Sequence, residues 1–269
     1  MTTKKASTDY PILPLLAERW SPYSFADRPV SVTDLRSLFE AARWAASSYN
    51  EQPWSYLLAT NENPPEFARL LSCLVEANQA WAKGAPVLVL GVVSLRFAKN
   101  DKDNRAAVHD LGLASANLVM EATSRHLSAH QMIGILPDRA RELYKIPEHS
   151  EAWTAIAIGY AADPAHRPEL TQERDRAPRQ RKPWSQFVFT GRWGLPAPLA
   201  ERPQPIPSEA TAGSVHARNR RVRRVHSRKG ARLSRSAIPT KASSPFGRTK
   251  GLAVGCMRAP AIWHRQDRP

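Results

Sequence analysis

The sequence predicts a body of mixed helices and buried strands followed by a basic, unstructured tail. Three observations predict it. First, Pro86-Val87-Leu88-Val89-Leu90-Gly91-Val92-Val93 and Trp153-Thr154-Ala155-Ile156-Ala157-Ile158-Gly159-Tyr160 are apolar runs of strand length, with the composition of strands covered on both faces. Second, apolar or small residues recur at helical spacing, at Leu35, Leu38, Phe39, Ala42 and Ala46, and again at Val108, Leu111, Ala114, Ser115, Leu118, Val119 and Ala122. Third, charge is divided unevenly. Of 39 Lys and Arg and 24 Asp and Glu, residues 201–269 hold 16 and 3, which leaves 23 and 21 for residues 1–200. The net charge of +15 and the isoelectric point near 10.4 therefore describe the tail, and the body is nearly neutral.

In chain order, Pro11-Ile12-Leu13-Pro14-Leu15-Leu16 predicts a short helix or packed arm. Ser31 caps the first amphipathic helix, and Asp34 three positions on can reach back and suits the positive helix end. That helix runs into Ser47-Ser48-Tyr49-Asn50-Glu51-Gln52-Pro53-Trp54, a polar connection that cannot continue as helix past Pro53. The apolar run Tyr56-Leu57-Leu58-Ala59 follows as a strand, and Pro65 opens a helix expected to run to about residue 81. Beyond the first buried strand, Lys99-Asn100-Asp101-Lys102-Asp103-Asn104 leads into a long helix over about 105–126. It carries no charge between Asp110 and Glu121, and Gly112, Ala114, Ser115 and Ala116 offer a surface that another helix or a second subunit can approach closely. Ser128-Ala129-His130-Gln131-Met132-Ile133 predicts a short strand and Pro137-Asp138-Arg139-Ala140-Arg141-Glu142-Leu143 a short helix. The second buried strand closes on Gly159, where a missing side chain lets backbone approach a ligand.

The organisation is one domain over residues 1–200 and a tail over 201–269. The tail, with Arg218-Asn219-Arg220-Arg221-Val222-Arg223-Arg224 and few large apolar residues, cannot bury enough surface to offset its ordering entropy, so disorder is expected. Of the two cysteines, Cys73 lies in the body and Cys256 in the tail, so no disulfide framework is implied, and Cys73 in its apolar setting is expected to be a core thiol. Met1-Thr2-Thr3-Lys4-Lys5 is not followed by an apolar leader, and no apolar run approaches the roughly 18–20 residues of a membrane span. A cytoplasmic protein is the expectation. No zinc-type Cys/His grouping and no G-x-S-x-G motif is present, so neither a metal site nor a side-chain nucleophile is expected.

Two stretches carry recognition chemistry. Arg19-Trp20-Ser21-Pro22-Tyr23 sets a guanidinium beside hydroxyl groups near a helix end, a combination suited to gripping phosphate. Asn50 and Gln52 each donate and accept hydrogen bonds, so with Ser47 and Ser48 they can read the mixed polar edge of a flat heteroaromatic ring. The plain alternatives are a solvated arginine beside half-buried aromatic residues and a polar, proline-terminated loop. His109 and Asp110 are adjacent on a helix and point about 100° apart, which suits a cap or a surface pair better than acid–base work. His130 is either a satisfied structural histidine or a pocket wall.

Together, and in this order, the segments resemble the nitroreductase family of flavin enzymes over roughly residues 10–197. Arg19-Trp20-Ser21 with Phe25 resembles the family's Arg-x-Ser-x-Arg-x-Phe phosphate grip. Ala45-Ala46-Ser47-Ser48-Tyr49-Asn50-Glu51-Gln52-Pro53-Trp54 resembles its Ala-Pro-Ser-Ser-x-Asn-x-Gln-Pro-Trp segment. Ala155-Ile156-Ala157-Ile158-Gly159-Tyr160 resembles its flavin-facing strand, and Arg179-Gln180-Arg181-Lys182-Pro183 its C-terminal basic element. Tyr23 departs from the second Arg of the grip, Ala46 from a Pro, and His126 from a Gly that commonly ends the long helix. The resemblance implies an α+β fold, a central, mostly antiparallel sheet flanked by helices, in an intertwined homodimer with FMN at the interface. It implies Arg19, Ser21, Arg179 and Arg181 on the phosphate, with Trp20 and Tyr23 in the same grip. It further implies Ser47, Ser48 and Asn50 meeting flavin held by the other subunit, Gln52 near the ring, and backbone at Ile158 and Gly159 near the flavin N5. NADH or NADPH would then reduce FMN by hydride transfer, and a nitroaromatic, quinone or related acceptor would follow it in a ping-pong cycle. Two other readings compete: a nucleic-acid-associated protein acting through the Arg-rich tail, and a specialised flavin enzyme of the same fold with another substrate. For the tail, a non-native extension is favoured over a selected nucleic-acid function, because the family-like sequence stops near Gly191-Arg192-Trp193-Gly194 and the composition changes abruptly just beyond.

Overall fold

A computed structural model describes residues 4–166 and 169–199; the tail, with the expectations attached to it, lies outside the described residues. The elements follow in chain order: α1 (Pro14–Glu18), α2 (Val32–Arg43), β1 (Trp54–Thr60), α3 (Pro64–Leu71), α4 (Glu76–Ala82), β2 (Val87–Ser94), α5 (Ala107–Ser124), β3 (Ser128–Met132), α6 (Pro137–Tyr144), β4 (Ser150–Gly159) and α7 (Glu169–Arg176). The strands form one sheet in the order β1-β2-β4-β3, antiparallel at every pairing.

Helices cover both faces of this sheet, which explains why Val87–Val93 of β2 and Ala155–Ile158 of β4 are continuously apolar instead of alternating. Val87, Val89, Ile156 and Ile158 point towards α2 and α5, where Leu35, Leu38, Leu118 and Val119 meet them. Leu88, Leu90, Ala155 and Ala157 point to the other face, against Phe67, Leu70, Leu74 and Trp81 of the α3–α4 region. Leu88 and Leu90 are wholly buried, and truncating either to alanine costs on the order of 2–5 kcal/mol. Gly91, in mid-strand, admits no side chain, because a Cβ there would sit 2.9 Å from Thr154 Cγ2.

The capping of α2 is as expected: the Asp34 N–H donates to Ser31 Oγ at 3.0 Å, and the Ser31 hydroxyl returns a bond to the Asp34 carboxylate at 2.7 Å. The single helix expected over about 65–81 is instead two, α3 and α4, broken at residues 72–75. The break is tertiary in origin. Leu136 N–H donates to Cys73 O at 2.7 Å, and Val75 N–H donates to Gly134 O at 3.1 Å, so groups that a continuous helix would use are drawn sideways into the 133–136 segment. Cys73 is buried there, and burial pushes its thiol up.

After α7 the chain forms an arm. A single turn over Trp184–Gln186 leads into a reversal in which Thr190 N–H donates to Leu195 O and Ala197 N–H to Val188 O. Phe187, Trp193, Leu195 and Leu199 on this arm are exposed.

Candidate functional site

The end of α1 delivers Arg19 into a cleft of about 730 Å³ that Lys4, Trp20, Arg28, Tyr160 and Arg176 also line. Arg19 leaves the helix at φ −58°, ψ 124°, with its N–H still on Leu15 O, and its Nη1 donates to Ser21 Oγ at 3.2 Å. Burial, followed by the charges of Arg179 and Arg181, lowers the proton affinity of the Arg19 guanidinium. The charges of the three arginines therefore add to one positive field at Arg19. Arg179 Nη1 gives its hydrogens to Ala17 O at 2.6 Å and Lys4 O at 3.0 Å, while exposed Arg181 donates to Gln180 O. Lys4 Nζ lies 5.0 Å from the Trp20 ring centroid and donates to Asp175 O at 2.6 Å and Arg174 O at 3.3 Å. The Arg28 guanidinium stacks 3.8 Å from the Tyr160 ring centroid. His126, where a glycine is usual, takes φ +59° beyond the end of α5 and lines the same cleft.

Tyr23 is near this cleft but not among its lining residues. Its ring meets Trp81 and His130 edge-on at 5.1 and 4.6 Å, and its N–H donates to Asp175 Oδ1. His130 Nδ1 pairs with Pro22 O at 2.9 Å and its ring packs against Tyr23 and Trp81, with burial lowering its proton affinity; it has the partners of a structural histidine and does not line this cleft. Ile158 is fully buried against the α2–α5 layer. At Gly159 a Cβ would fall 2.5 Å from Pro86 Cδ and 3.0 Å from Phe25 Cδ1, so packing inside the chain already requires glycine there.

The second predicted stretch is held by backbone geometry. Tyr49, Asn50 and Gln52 all have positive φ, at 54°, 55° and 52°. Each such residue costs on the order of 1–2 kcal/mol, least for Asn, so the surroundings must impose the conformation. Three bonds do so: Ser48 N–H to Asp110 Oδ2 at 3.0 Å, Gln52 N–H to Ser47 Oγ at 3.0 Å, and Ala98 N–H to Glu51 Oε1 at 2.6 Å. The side chains of Asn50 and Gln52 are left exposed, and Tyr49 stands clear of the body with its edge on Phe97. His109 does face solvent, but Asp110 is only 2% exposed. Of the expected cap or surface pair, His109 is the surface member, while Asp110 turns inward and accepts the Ser48 N–H at the start of the Ser48–Asn50 turn. Nothing in the sequence marked Asp110 for this role beyond its place in the first turn of a helix.

The two sets do not meet within one chain. Ser48 touches Asp110 near the start of α5, whereas Thr123 and His126 at its far end line the Arg19 cleft. Thirteen residues of helix separate Asp110 from Thr123, or about 20 Å. Between them α5 exposes Gly112, Leu113 and Ala116. A second groove, of about 580 Å³ between α2 and β1, contains none of the predicted residues. Among the described residues, no group of His, Cys, Asp and Glu could hold a metal ion, and no helix is long and apolar enough to cross a membrane.

Residues 16–160, just over half of the chain, match the model of the Nitroreductase family. A Mycolicibacterium smegmatis protein described as an uncharacterized 15.4 kDa protein is 35% identical over 126 residues, 47% of this chain and 84% of the relative. A Methanothermobacter thermautotrophicus protein provisionally named NADH dehydrogenase/NAD(P)H nitroreductase is 29% identical over 161 residues, 56% of this chain and 78% of the relative. Among solved structures, one described as an oxidoreductase containing FMN is 32% identical with a TM-score of 0.65, covering 70% of this chain and 95% of that one. A nitroreductase family protein from Clostridium difficile shares the fold, with a TM-score of 0.52 at 20% identity, over 66% of this chain and 96% of its own.

Proposed function

The chain belongs to the nitroreductase family, and from that premise we propose that it is an FMN-dependent oxidoreductase that uses NADH or NADPH to reduce nitroaromatic, quinone or related acceptors. The observation that carries this is the separation of the predicted cofactor residues to opposite ends of α5, with a small, apolar face exposed between them. Two copies pairing antiparallel through Gly112, Leu113 and Ala116 set the Asp110 end of one helix opposite the Thr123 end of the other. Each homodimer then has two composite sites, and each site draws its basic half from one subunit and its polar loop from the other.

The basic half fits FMN. The cleft falls within the roughly 300–1,000 Å³ of cofactor-sized pockets, and it combines the Lys4, Arg19, Arg28 and Arg176 cations with the Trp20 and Tyr160 rings, the cations outnumbering the Glu18, Asp163 and Asp175 carboxylates that also line it. Arg19 and Ser21 would hold the phosphate, with Arg179 and Arg181 adding positive field. Ser47, Ser48, Asn50 and Gln52 would reach the ring from the second subunit, and the backbone at Ile158 and Gly159 would lie beside it. When bound, FMN supplies two-electron hydride chemistry to the reductant and the acceptor in turn. The protein's part is to orient the ring, exclude water and offer hydrogen bonds along the ring edge. Similarity to an FMN-containing oxidoreductase and to a protein provisionally named for NAD(P)H supports both halves of the proposal. Residues 1–200 would carry the entire site, in the cytoplasm, where both nicotinamide reductants are available.

The test joins spectroscopy to assembly. The purified protein should show oxidised-flavin bands, release FMN on denaturation and behave as a dimer in light scattering. Ala116→Arg should give a monomer whose FMN affinity falls by about a hundredfold, as expected when two or three cross-subunit hydrogen bonds are lost. A monomer that keeps its flavin would overturn the composite site. A colourless protein that FMN cannot reconstitute would overturn the flavin assignment.

A further inference from the structure

Lys4 lies far from every predicted site residue in sequence, yet its ammonium group stands in the cleft beside Arg19 and over the Trp20 ring. It is held in place. Two of its three hydrogens go to Asp175 O and Arg174 O, which leaves one for a ligand oxygen. Its backbone is fixed as well: Arg179 grips the Lys4 carbonyl together with that of Ala17, and Ala6 N–H donates to Ala17 O at 2.8 Å. The N-terminal segment is thus a strap, tied to α1 on one side and to the end of α7 on the other, that carries a cation into the anion-binding half of the site. The Asp175 carboxylate, 6% exposed with Oδ2 unpartnered, balances part of this charge from below.

We infer that Lys4 is a phosphate-binding residue, with Arg179 as its positioning residue, so that the N-terminal strap closes the phosphate end of the cofactor site. This rests on the FMN proposal above. Burial lowers the proton affinity of Lys4; the Asp175 charge opposes this, and the charge of Arg179 adds a smaller lowering. A bound phosphate adds a negative charge beside the ammonium and restores its preference for the proton. The two Nη1 hydrogens of Arg179 go to the strap carbonyl of Lys4 and to Ala17 O, so Arg179 fixes the segment that presents the Lys4 ammonium to the cleft.

The experiment compares FMN with riboflavin, which lacks the phosphate, on the full-length dimer stripped of flavin. Lys4→Gln should weaken FMN by about tenfold, the usual worth of one charge-assisted hydrogen bond, and leave riboflavin unchanged; Lys4→Arg should restore most of the loss. Arg179→Gln should reproduce the FMN-selective loss, and adding it to Lys4→Gln should bring little more. Unchanged FMN binding in Lys4→Gln would overturn the inference, as would equal losses for the two flavins, which would assign Lys4 to the fold alone. A wild-type protein that binds riboflavin and FMN equally would overturn the phosphate grip as a whole, and one that binds neither would overturn the flavin proposal itself.

Discussion

The two ends of α5 solve different recognition problems by different means. At the Thr123 end, side-chain charge dominates: Arg19, Arg28, Lys4 and Arg176 converge on a cleft, and Arg179 and Arg181 lie close enough to depress the proton affinity of Arg19. At the Asp110 end residues 47–52 contain no cation of their own, and shape comes from three positive φ angles pinned by Asp110, Ser47 and Glu51. Charge attracts an anion over distance and tolerates ångström-scale error, whereas hydrogen bonds to a ring edge demand exact aim. A site divided this way can capture its ligand electrostatically at one end and fix its orientation at the other.

Substitutions can break or sharpen that contrast. The largest effect is expected at the charged end, where Arg19→Ala should weaken FMN by about a hundredfold and riboflavin much less, since the phosphate alone distinguishes the two ligands. Similar losses for both, read by fluorescence titration, would mean that Arg19 acts on the fold. At the shaped end, Asp110→Ala leaves the Ser48 N–H without its acceptor and should cost about 1–3 kcal/mol in denaturant unfolding, while Asp110→Asn keeps most of the stability. A change within experimental error would show that Ser47 and Glu51 hold the loop unaided. Smallest, and opposite in sign, is Gln52→Gly. Relief at φ +52° should outweigh the added freedom of the unfolded chain and stabilise the protein by about 0.5 kcal/mol, while acceptor turnover falls. A loss of stability in that variant would argue that the loop stores no strain.

The elements were legible in the sequence wherever burial imposed a period. The all-apolar run of β2 and the stripe Leu111, Ala114, Leu118, Ala122 on α5 state their partners directly. The break between α3 and α4 was not legible, because Cys73 and Val75 are diverted by backbone groups of residues 134 and 136, and pairing at that distance leaves no local mark. For the site, short motifs marked Arg19, Ser21 and the 47–52 stretch, since few residue types can supply those donors. Lys4 and Asp175 escaped notice for the opposite reason, and Asp110 was noticed without its partner: each is an ordinary charged residue locally, and only folding brings it beside the groups it bonds. His126 lies between these cases. It was noticed as a departure from glycine, and its φ of +59° is the left-handed conformation that glycine adopts most easily.

The strap at Lys4 also sets an order of events during synthesis. Its bonds to Arg174, Asp175 and Arg179 span 170 to 175 positions, whereas the last sheet residue is Gly159. A nascent chain can complete all four strands while its first residues still wait for a partner inside the ribosome exit tunnel. Closing so long a loop adds an entropic cost only slightly above that of a much shorter one, but it cannot begin until those residues emerge. The strap therefore closes only after the sheet that supports the cleft can be complete.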